Sequence, residues 1–249
     1  MPNFKHLNST KFPKIAVQIN FFGDYKNNAI INKIYNIPIK YDLFIFTNLS
    51  EKVKLIENNI KKKYSNYNKY YIIMVENNFI NDKNIYIILK IIVKNYKYIC
   101  NINNINFIYI NKKHEYMSNN LYDNIIENND SVLDVVSNFE TYKELGFIFS
   151  EINTNISSEI LVNDNKDFIN NFLDKIFPGE NHKIGKENKL IIGNIFWAKI
   201  EANYQIFNAK IYKEFLLIKN KELIFKNIDI ILLYLVKING FCYKRILQY

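Results

Sequence analysis

Short apolar runs alternate with helical patterns along residues 15–102, and this alternation limits the fold of the chain more than any other feature. Four runs are predicted to be buried strands: Ile15–Phe22, Tyr41–Phe46, Tyr70–Val75 and Tyr98–Ile102. Helical patterns lie between them at Asn27–Tyr35, at Ser50–Lys63 with Ser50 as N-cap, and at Lys83–Asn95 after the cap Asp82. This order predicts an α/β fold with a mostly parallel open sheet and helices on both faces.

The second half of the chain continues with less regular spacing. Strands are predicted at Leu145–Phe149 and around Trp197, with a polar loop at Ile152–Asp164 after the first of them. The predicted helices are Ser118–Glu127, Ser131–Tyr142, Phe168–Phe177, Ala202–Phe207 and Glu222–Ile238. Ser131 with Asp134 resembles a capping box, and Asn239-Gly240 is predicted to end the last helix. We expect a single domain over residues 1–249 with a soft internal boundary near 152–164.

Composition narrows the classes of function. Apolar residues make up 49 % of the 249 residues and aromatic residues 16 %, which is enough for a packed core. The net charge of +9 favours anionic partners, but Arg245 is the only arginine, so specific nucleic-acid recognition is not expected. Cys100 lies in an apolar run and is predicted to be a small buried hydrophobe, and no Cys/His cluster indicates zinc.

Targeting signals are not expected. The first residues lack the apolar segment of a secretory signal, and the longest apolar runs are too short to span a bilayer. The sequence therefore predicts a cytoplasmic protein, with peripheral contact at the inner face of a membrane as a further option.

Polar residues follow the predicted strands at the edge where open α/β sheets bind ligands. The candidates for substrate binding at this edge are Asn20, Thr47, Asn77, Asn101 and Asn103.

Three carboxylates lie at the same predicted edge, namely Asp24, Glu76 and Asp82. They are the candidate catalytic residues, because a general base must reach the acceptor hydroxyl that it activates. The sequence does not choose among them, and helix capping is the alternative role for Asp82, although one carboxylate can serve both.

A metal site is the other common device at this edge. Sugar-nucleotide enzymes with such a sheet often carry an Asp-x-Asp pair after a central strand, and this chain has Asn101-Ile102-Asn103 there. Amides are weak partners for a hard cation. A divalent metal is therefore a possible cofactor for the class, but no metal ligand is assigned in this sequence.

The segment 190–200 contains the only tryptophan, Trp197, and a Gly193-Asn194 pair inside a strand-like run. Glycine within a strand marks a bulge or a close approach by a ligand or another backbone. A core strand with a bulge is one interpretation. The other is a pocket wall, with Gly193 and Asn194 nearest the substrate and Trp197 packed in the core.

Several of these segments together resemble the rhamnan synthesis protein F family of bacterial polysaccharide and lipopolysaccharide biosynthesis. The resemblance runs in register along nearly the whole chain. It rests on Lys14–Ile19 with Phe21–Asp24, Tyr41–Asn48, Glu76-Asn77, Tyr98–Cys100, Leu145–Phe149, Gly193–Lys199 and Leu233–Phe241.

The resemblance implies a sheet like that of A-type glycosyltransferases. It also implies transfer of a sugar such as rhamnose from a nucleotide-sugar donor to a glycan acceptor. The polar motifs depart from the family pattern: Asn78–Asn81 replaces a glycine and basic residues, and Asn101–Asn104 replaces a His-x-His-Thr stretch. The alternative is therefore a catalytically degenerate member that binds a glycan or a partner protein.

Overall fold

The fold is described from a computed structural model of the chain. It describes residues 13–21, 34–48, 50–62, 66–75, 91–92, 94–103, 125–151, 158–179, 195–203 and 231–247. The structural statements that follow concern these residues.

Seven strands form one sheet in the order β3-β2-β1-β4-β6-β5-β7. Their bounds are β1 Ile15–Phe21, β2 Tyr41–Thr47, β3 Tyr67–Met74, β4 Tyr98–Asn103, β5 Leu145–Glu151, β6 Ile195–Lys199 and β7 Cys242–Leu247. Strands β1 to β4 pair in parallel, β6 runs antiparallel to β4 and β5, and β7 is parallel to β5. The predicted mostly parallel open sheet is confirmed.

The helices lie on both faces of this sheet. Their bounds are α1 Val53–Lys62, α2 Asn129–Thr141, α3 Ser158–Ile176 and α4 Ile200–Asn203, and residues 231–238 are also helical. One core cluster joins Ile56 and Ile60 of α1 and Phe139 of α2 to one sheet face. A second cluster joins Leu233 and Val236 to the other face. Burial on both faces explains the apolar character of the central strands.

The amino-terminal ends of two helices, α2 and α1, differ from the sequence prediction. The N-cap of α2 is Asn128, whose side chain accepts a hydrogen bond from the Ser131 backbone, while Ser131 Oγ accepts one from the Asn128 backbone. The predicted box of Ser131 with Asp134 is therefore wrong, because Ser131 is the third residue of that helix and not its cap. Ser50 begins a short 3-10 turn, Ser50–Lys52, before α1 rather than capping an α-helix directly.

The segment predicted to be a polar loop at 152–164 is helical from Ser158 onward, as the first part of α3. The polar stretch Asn163–Asp167 separates Ile160–Val162 from the apolar residues after Phe168, and this interruption suggested a loop where the helix continues. Strand β7 was not predicted at all. Gly240, with a φ of +78°, ends the helical segment 231–238 as expected and lets the chain turn into β7.

The amino edge of the sheet is held by buried polar contacts. The Tyr96 hydroxyl donates to the buried carboxylate of Asp42, and burial together with this bond raises the pKa of Tyr96. Glu140 of α2 accepts from Lys97 Nζ at 2.9 Å and from the Tyr98 hydroxyl at 2.6 Å. These contacts attach α2 and the segment before β4 to the amino edge of the sheet. The polar groups in these contacts at this edge therefore have a structural role.

The Glu140 contacts predict an acid-sensitive contribution to stability. Partial burial opposes ionisation, but the bonds from Lys97 and Tyr98 outweigh it and lower the pKa of Glu140 below its usual value of 4.5. A lowered folded-state pKa stabilises the fold above the unfolded value, and that stabilisation is lost as pH falls through the folded value. Glu140→Gln is therefore expected to reduce the free energy of unfolding by about 1 kcal/mol at pH 7 and by much less at pH 3.

Urea titrations of both proteins at the two pH values measure this difference. Glu144→Gln changes an exposed acid next to β5 and serves as the matched control. An unchanged Glu140→Gln deficit at pH 3 would contradict the assignment.

Lys199, the last residue of β6, is buried at this edge with an exposed fraction of 2 %. Its ammonium donates to the carbonyl oxygens of Tyr142 at 3.2 Å and Lys143 at 2.8 Å, just beyond the end of α2. Desolvation lowers the pKa of Lys199. The buried ammonium of Lys199 thus binds the carbonyl oxygens that follow the carboxyl end of α2 and joins β6 to that helix. This contact gives Lys199 a structural role.

Replacing Lys199 by methionine keeps most of the apolar stem and removes both bonds. We expect the free energy of unfolding to fall by about 1–3 kcal/mol, since two carbonyls lose their donor. Urea unfolding monitored by circular dichroism measures the change, and Lys175→Met, an exposed lysine of α3, is the control. Equal stability of the Lys199→Met variant and the parent protein would contradict the structural role.

Candidate functional site

The carboxyl ends of the central strands bring several predicted substrate-binding residues to one edge. Asn20 of β1 is in register with Asn103 of β4, and Thr47 of β2 is in register with Phe21. Asn101 lies two residues before Asn103 on β4. The parallel arrangement therefore gathers Asn20, Thr47, Asn101 and Asn103 on three adjacent strands, as the sequence predicted.

The side chains of this edge are buried rather than splayed into solvent. The exposed fractions are 1 % for Asn20, 0 % for Thr47 and 6 % for Asn101. Buried amides and hydroxyls are costly unless they are hydrogen-bonded, so their presence here calls for a specific role.

Gln18 belongs with these buried polar side chains, although it was not among the candidates predicted from the sequence. It is 5 % exposed, lies in register with Asn101, and its Nε2 donates to Asn20 Oδ1 at 3.2 Å. The signal was present in β1, where Gln18 and Asn20 are two residues apart and interrupt an otherwise apolar run on one face.

Asn48 adds an acceptor at the end of β2. Its Oδ1 is buried and has no hydrogen-bond partner within the described structure. The backbone beside it is well fixed, because Val75 N donates to Thr47 O at 2.9 Å. A buried carbonyl oxygen without a donor at the ligand edge is suited to receive an N–H or O–H group.

The candidate catalytic carboxylates Asp24, Glu76 and Asp82 lie outside the described residues, as do Asn77, Gly193 and Asn194. β1 ends at Phe21, three residues before Asp24 in sequence, and Val75 after β3, next to Glu76, donates its backbone N–H to Thr47 O.

The chain enters β6 at this same edge. Ile195, the first residue of β6, pairs with Ile102 of β4 in the antiparallel ladder. Gly193 and Asn194 directly precede Ile195 in sequence, and the pocket-wall interpretation of that pair stays a prediction.

A divalent metal is not supported by the donors at the end of β4. Asn101 occupies the place of the first carboxylate in an Asp-x-Asp pair, and its neutral amide is buried beside the Gln18 amide. No group of three or more His, Cys, Asp or Glu that could hold a metal ion is found in the part of the chain that the structure describes. These amides do not fit a hard cation.

Two side chains near the site are structural. Trp197 is fully buried and belongs to the core cluster on the α2 side, which confirms the packed position expected for it. Cys100, in register with Trp197, is also fully buried, and desolvation raises the pKa of its thiol. A thiol held in its neutral form is a poor nucleophile, so Cys100 is a small hydrophobic residue as predicted.

No helix in the described ranges is long and apolar enough to cross a membrane.

Comparisons with known proteins place these features in context. The family model described as rhamnan synthesis protein F matches residues 4–241. A search of curated proteins finds no match. Among solved structures, 4-diphosphocytidyl-2C-methyl-D-erythritol synthase from Anaerococcus prevotii is similar with a TM-score of 0.47 and 9 % sequence identity. That similarity covers 95 % of this chain and 88 % of the synthase.

Proposed function

Because the chain belongs to the rhamnan synthesis protein F family, we propose that it is a glycosyltransferase-like protein of cell-surface polysaccharide synthesis. It takes a sugar such as rhamnose from a nucleotide-sugar donor and transfers it to a glycan acceptor. The observation that carries this proposal is the gathering of buried amide and hydroxyl groups at the carboxyl edge of β1, β2 and β4.

The chemistry of this edge suits a sugar nucleotide. A pyrimidine base offers both donors and acceptors, and a sugar offers hydroxyl groups that do the same. The Asn48 oxygen can accept a hydrogen bond, and the amides of Asn20 and Asn101 carry both kinds of group. Open α/β sheets bind their ligands beyond the carboxyl ends of the strands, which is where these residues lie.

In this proposal a carboxylate from the segments after β1 or β3 is the general base for the acceptor hydroxyl. The candidates are Asp24, Glu76 and Asp82. The segment entering β6, with Gly193 and Asn194, forms the wall of the pocket opposite β2. Binding of the donor and acceptor side by side would supply most of the rate by proximity.

Turnover of dTDP-rhamnose tests the enzymatic proposal directly. Release of dTDP in the presence of a rhamnose-containing acceptor is expected, and neutralising the true base should reduce kcat by about 100-fold or more while donor affinity changes little. The variants are Asp24→Asn, Glu76→Gln and Asp82→Asn, with Asp174→Asn on the exposed side of α3 as control. Uniform activity across these variants would remove all three residues from the mechanism.

A second candidate function is donor or glycan binding without turnover. It is favoured by the amide pair Asn101 and Asn103, which stands at the end of β4, where sugar-nucleotide enzymes with such a sheet often carry an Asp-x-Asp pair. Calorimetry separates the two functions: binding of dTDP-rhamnose with no release of dTDP would support the binding protein. Absence of both binding and turnover would reject a nucleotide-sugar site of either kind.

A further inference from the structure

Lysines precede four strands at the amino edge of the sheet, opposite the candidate site. Lys40, Lys14 and Lys97 come directly before β2, β1 and β4, and Lys143 comes two residues before β5. All four residues are exposed. These four residues are called the lysine row below, and they form a line of positive groups along one end of the molecule.

The pairing of the strands places three members of the lysine row side by side. Ile15 is in register with Tyr41 and with Tyr98, so the lysines directly before these residues lie on three adjacent strands. The Lys97 backbone N–H donates to Lys14 O at 2.9 Å, which confirms that these two lysines are neighbours. Adjacent strands are about 4.8 Å apart, so the row from β2 across β1, β4 and β6 to β5 spans about 19 Å.

Acidic residues balance one end of the lysine row. Glu140 of α2 accepts from Lys97 Nζ at 2.9 Å. The exposed acids Glu144 and Glu201 lie directly before β5 and just after β6. The charge of the row is therefore partly neutralised where it crosses β4, β6 and β5.

The other end of the row, at β1 and β2, remains positive. The Asp42 carboxylate there is buried and accepts from the Tyr96 hydroxyl, and Lys14 Nζ lies 4.6 Å from the centre of the Tyr96 ring. Glu57 of α1 is bonded within its own helix and to β3. Like charges on neighbouring strands repel each other, so Lys14 beside Lys40 is unfavourable for the sheet and is better explained by an anionic partner.

An exposed aromatic residue adjoins the lysine row. Tyr142 is 51 % exposed and lies between the carboxyl end of α2 and Lys143. Tyrosine has an apolar ring with a polar tip, and for this reason it is enriched at the level of the lipid headgroups in membrane interfaces. An aromatic ring beside lysines therefore suits a lipid surface better than a purely ionic partner.

We propose that the lysine row docks the protein on the surface of an anionic lipid bilayer, with Tyr142 in the headgroup region. A line of separate ammonium groups about 19 Å long can face many lipid phosphates at once. The row contains no arginine, the residue that clamps a single phosphate bidentately or reads nucleic-acid bases. Each unpaired lysine near such a surface is expected to raise membrane partitioning by about fivefold.

Flotation of the full chain with lipid vesicles measures this docking. Vesicles made of equal parts of phosphatidylglycerol and phosphatidylcholine are expected to bind the protein at about 50 mM salt, and vesicles of phosphatidylcholine alone are not. Binding should be largely lost at about 0.5 M salt, because salt screens exposed charges.

Lys14→Gln combined with Lys40→Gln removes the unbalanced end of the row and should lower the partition coefficient by about tenfold or more. The matched control combines Lys54→Gln of α1 with Lys244→Gln of β7, which are exposed and remove the same charge outside the row. The control should lower partitioning by about threefold at most, through net charge alone. Tyr142→Ser should lower it several-fold without any change of charge. Circular dichroism verifies the fold of each variant.

Equal losses for the two double variants would overturn the proposal, as would equal binding to charged and uncharged vesicles or binding to neither. Unchanged binding of Tyr142→Ser would overturn the choice of a lipid surface. A single-stranded oligonucleotide that binds more tightly than the vesicles, with the same dependence on Lys14 and Lys40, would assign the row to a nucleic acid instead. None of these outcomes involves turnover or nucleotide-sugar binding, so they leave the proposed function of the carboxyl edge to its own tests.

Discussion

Replacing Trp197 by alanine is expected to lower the free energy of unfolding by about 3–5 kcal/mol, the usual cost of deleting a large buried aromatic side chain. The indole is fully buried at the middle of β6. It is in register with Cys100 on one side and Ile148 on the other, and these residues share a core cluster with Phe139 of α2. The cavity would open between the sheet and α2, where rigid strands limit collapse.

Trp197→Phe separates packing from polarity. The Trp197 Nε1 atom is buried and has no hydrogen-bond partner within the described structure, so phenylalanine removes an unsatisfied donor as well as some volume. We expect a cost of only about 1–2 kcal/mol, because the smaller cavity is partly offset by the loss of that donor. Trp197 is the only tryptophan, so urea unfolding of both variants is followed by far-ultraviolet circular dichroism. A Trp197→Ala cost below that of Trp197→Phe would contradict this packing.

Strands β1, β2 and β4 could be predicted from sequence because they are buried on both faces. β3 is an exposed or half-buried edge strand, and it begins at Tyr67, three residues before its predicted start. The observed strands β1, β2 and β4 begin at the predicted residues, Ile15, Tyr41 and Tyr98. The parallel direction followed from the helices between them. A strand that is buried on both faces is the easiest kind to predict, because a continuous run of apolar residues is enough to identify it.

The second half was harder for identifiable physical reasons. β7, Cys242–Leu247, lies at the edge of the sheet and carries the adjacent charged residues Lys244 and Arg245 at its centre. They break the apolar/polar alternation that would have predicted a strand. The antiparallel direction of β6 depends on pairing with β4 and β5, which are distant in sequence. The start of α3 at Ser158 was hidden by polar residues.

Only part of the candidate site could be predicted from sequence. Asn20, Thr47 and Asn101 were found because strand ends at the ligand edge can be read from the order of elements. Gln18 was missed because it lies within a strand, and only the register of β1 with β4 shows that it stands beside Asn101. The orphaned Asn48 oxygen depends on side-chain geometry, which no sequence pattern encodes.

The polar groups at the two edges of the sheet differ in charge and in their partners. At the amino edge several charged groups have fixed partners, such as Glu140 with Lys97 and Lys199 with the carbonyls after α2. At the carboxyl ends of β1, β2 and β4 the buried polar side chains, Asn20, Thr47 and Asn101, are neutral. In the proposed function, such neutral groups would recognise a hydrogen-bonding pattern more than a charge.

Gly146→Val is expected to destabilise the fold by about 3 kcal/mol or more, and Gly146→Ala by roughly 1–3 kcal/mol. Gly146 lies in β5, where the register with β7 shifts between Leu145 and Phe147. A Cβ added there would lie 2.6 Å from Ala202 Cβ and 2.8 Å from Phe241 Cβ. Both of those atoms are attached directly to backbone, so relief requires movement of α4 or of the segment entering β7.

Urea unfolding followed by the fluorescence of the buried Trp197 measures this cost. Gly179→Ala is the matched control, because a Cβ there meets nothing within 4 Å and only its φ of +92° opposes the change. The control should cost about 1–2 kcal/mol, the strain of one alanine in a left-handed conformation. The decisive comparison is between the two Gly146 variants: valine should cost clearly more than alanine, because its added methyl groups enter filled space. Equal costs for Gly146→Ala and Gly146→Val would show that β5 is not held as closely to Ala202 and Phe241 as the structure indicates.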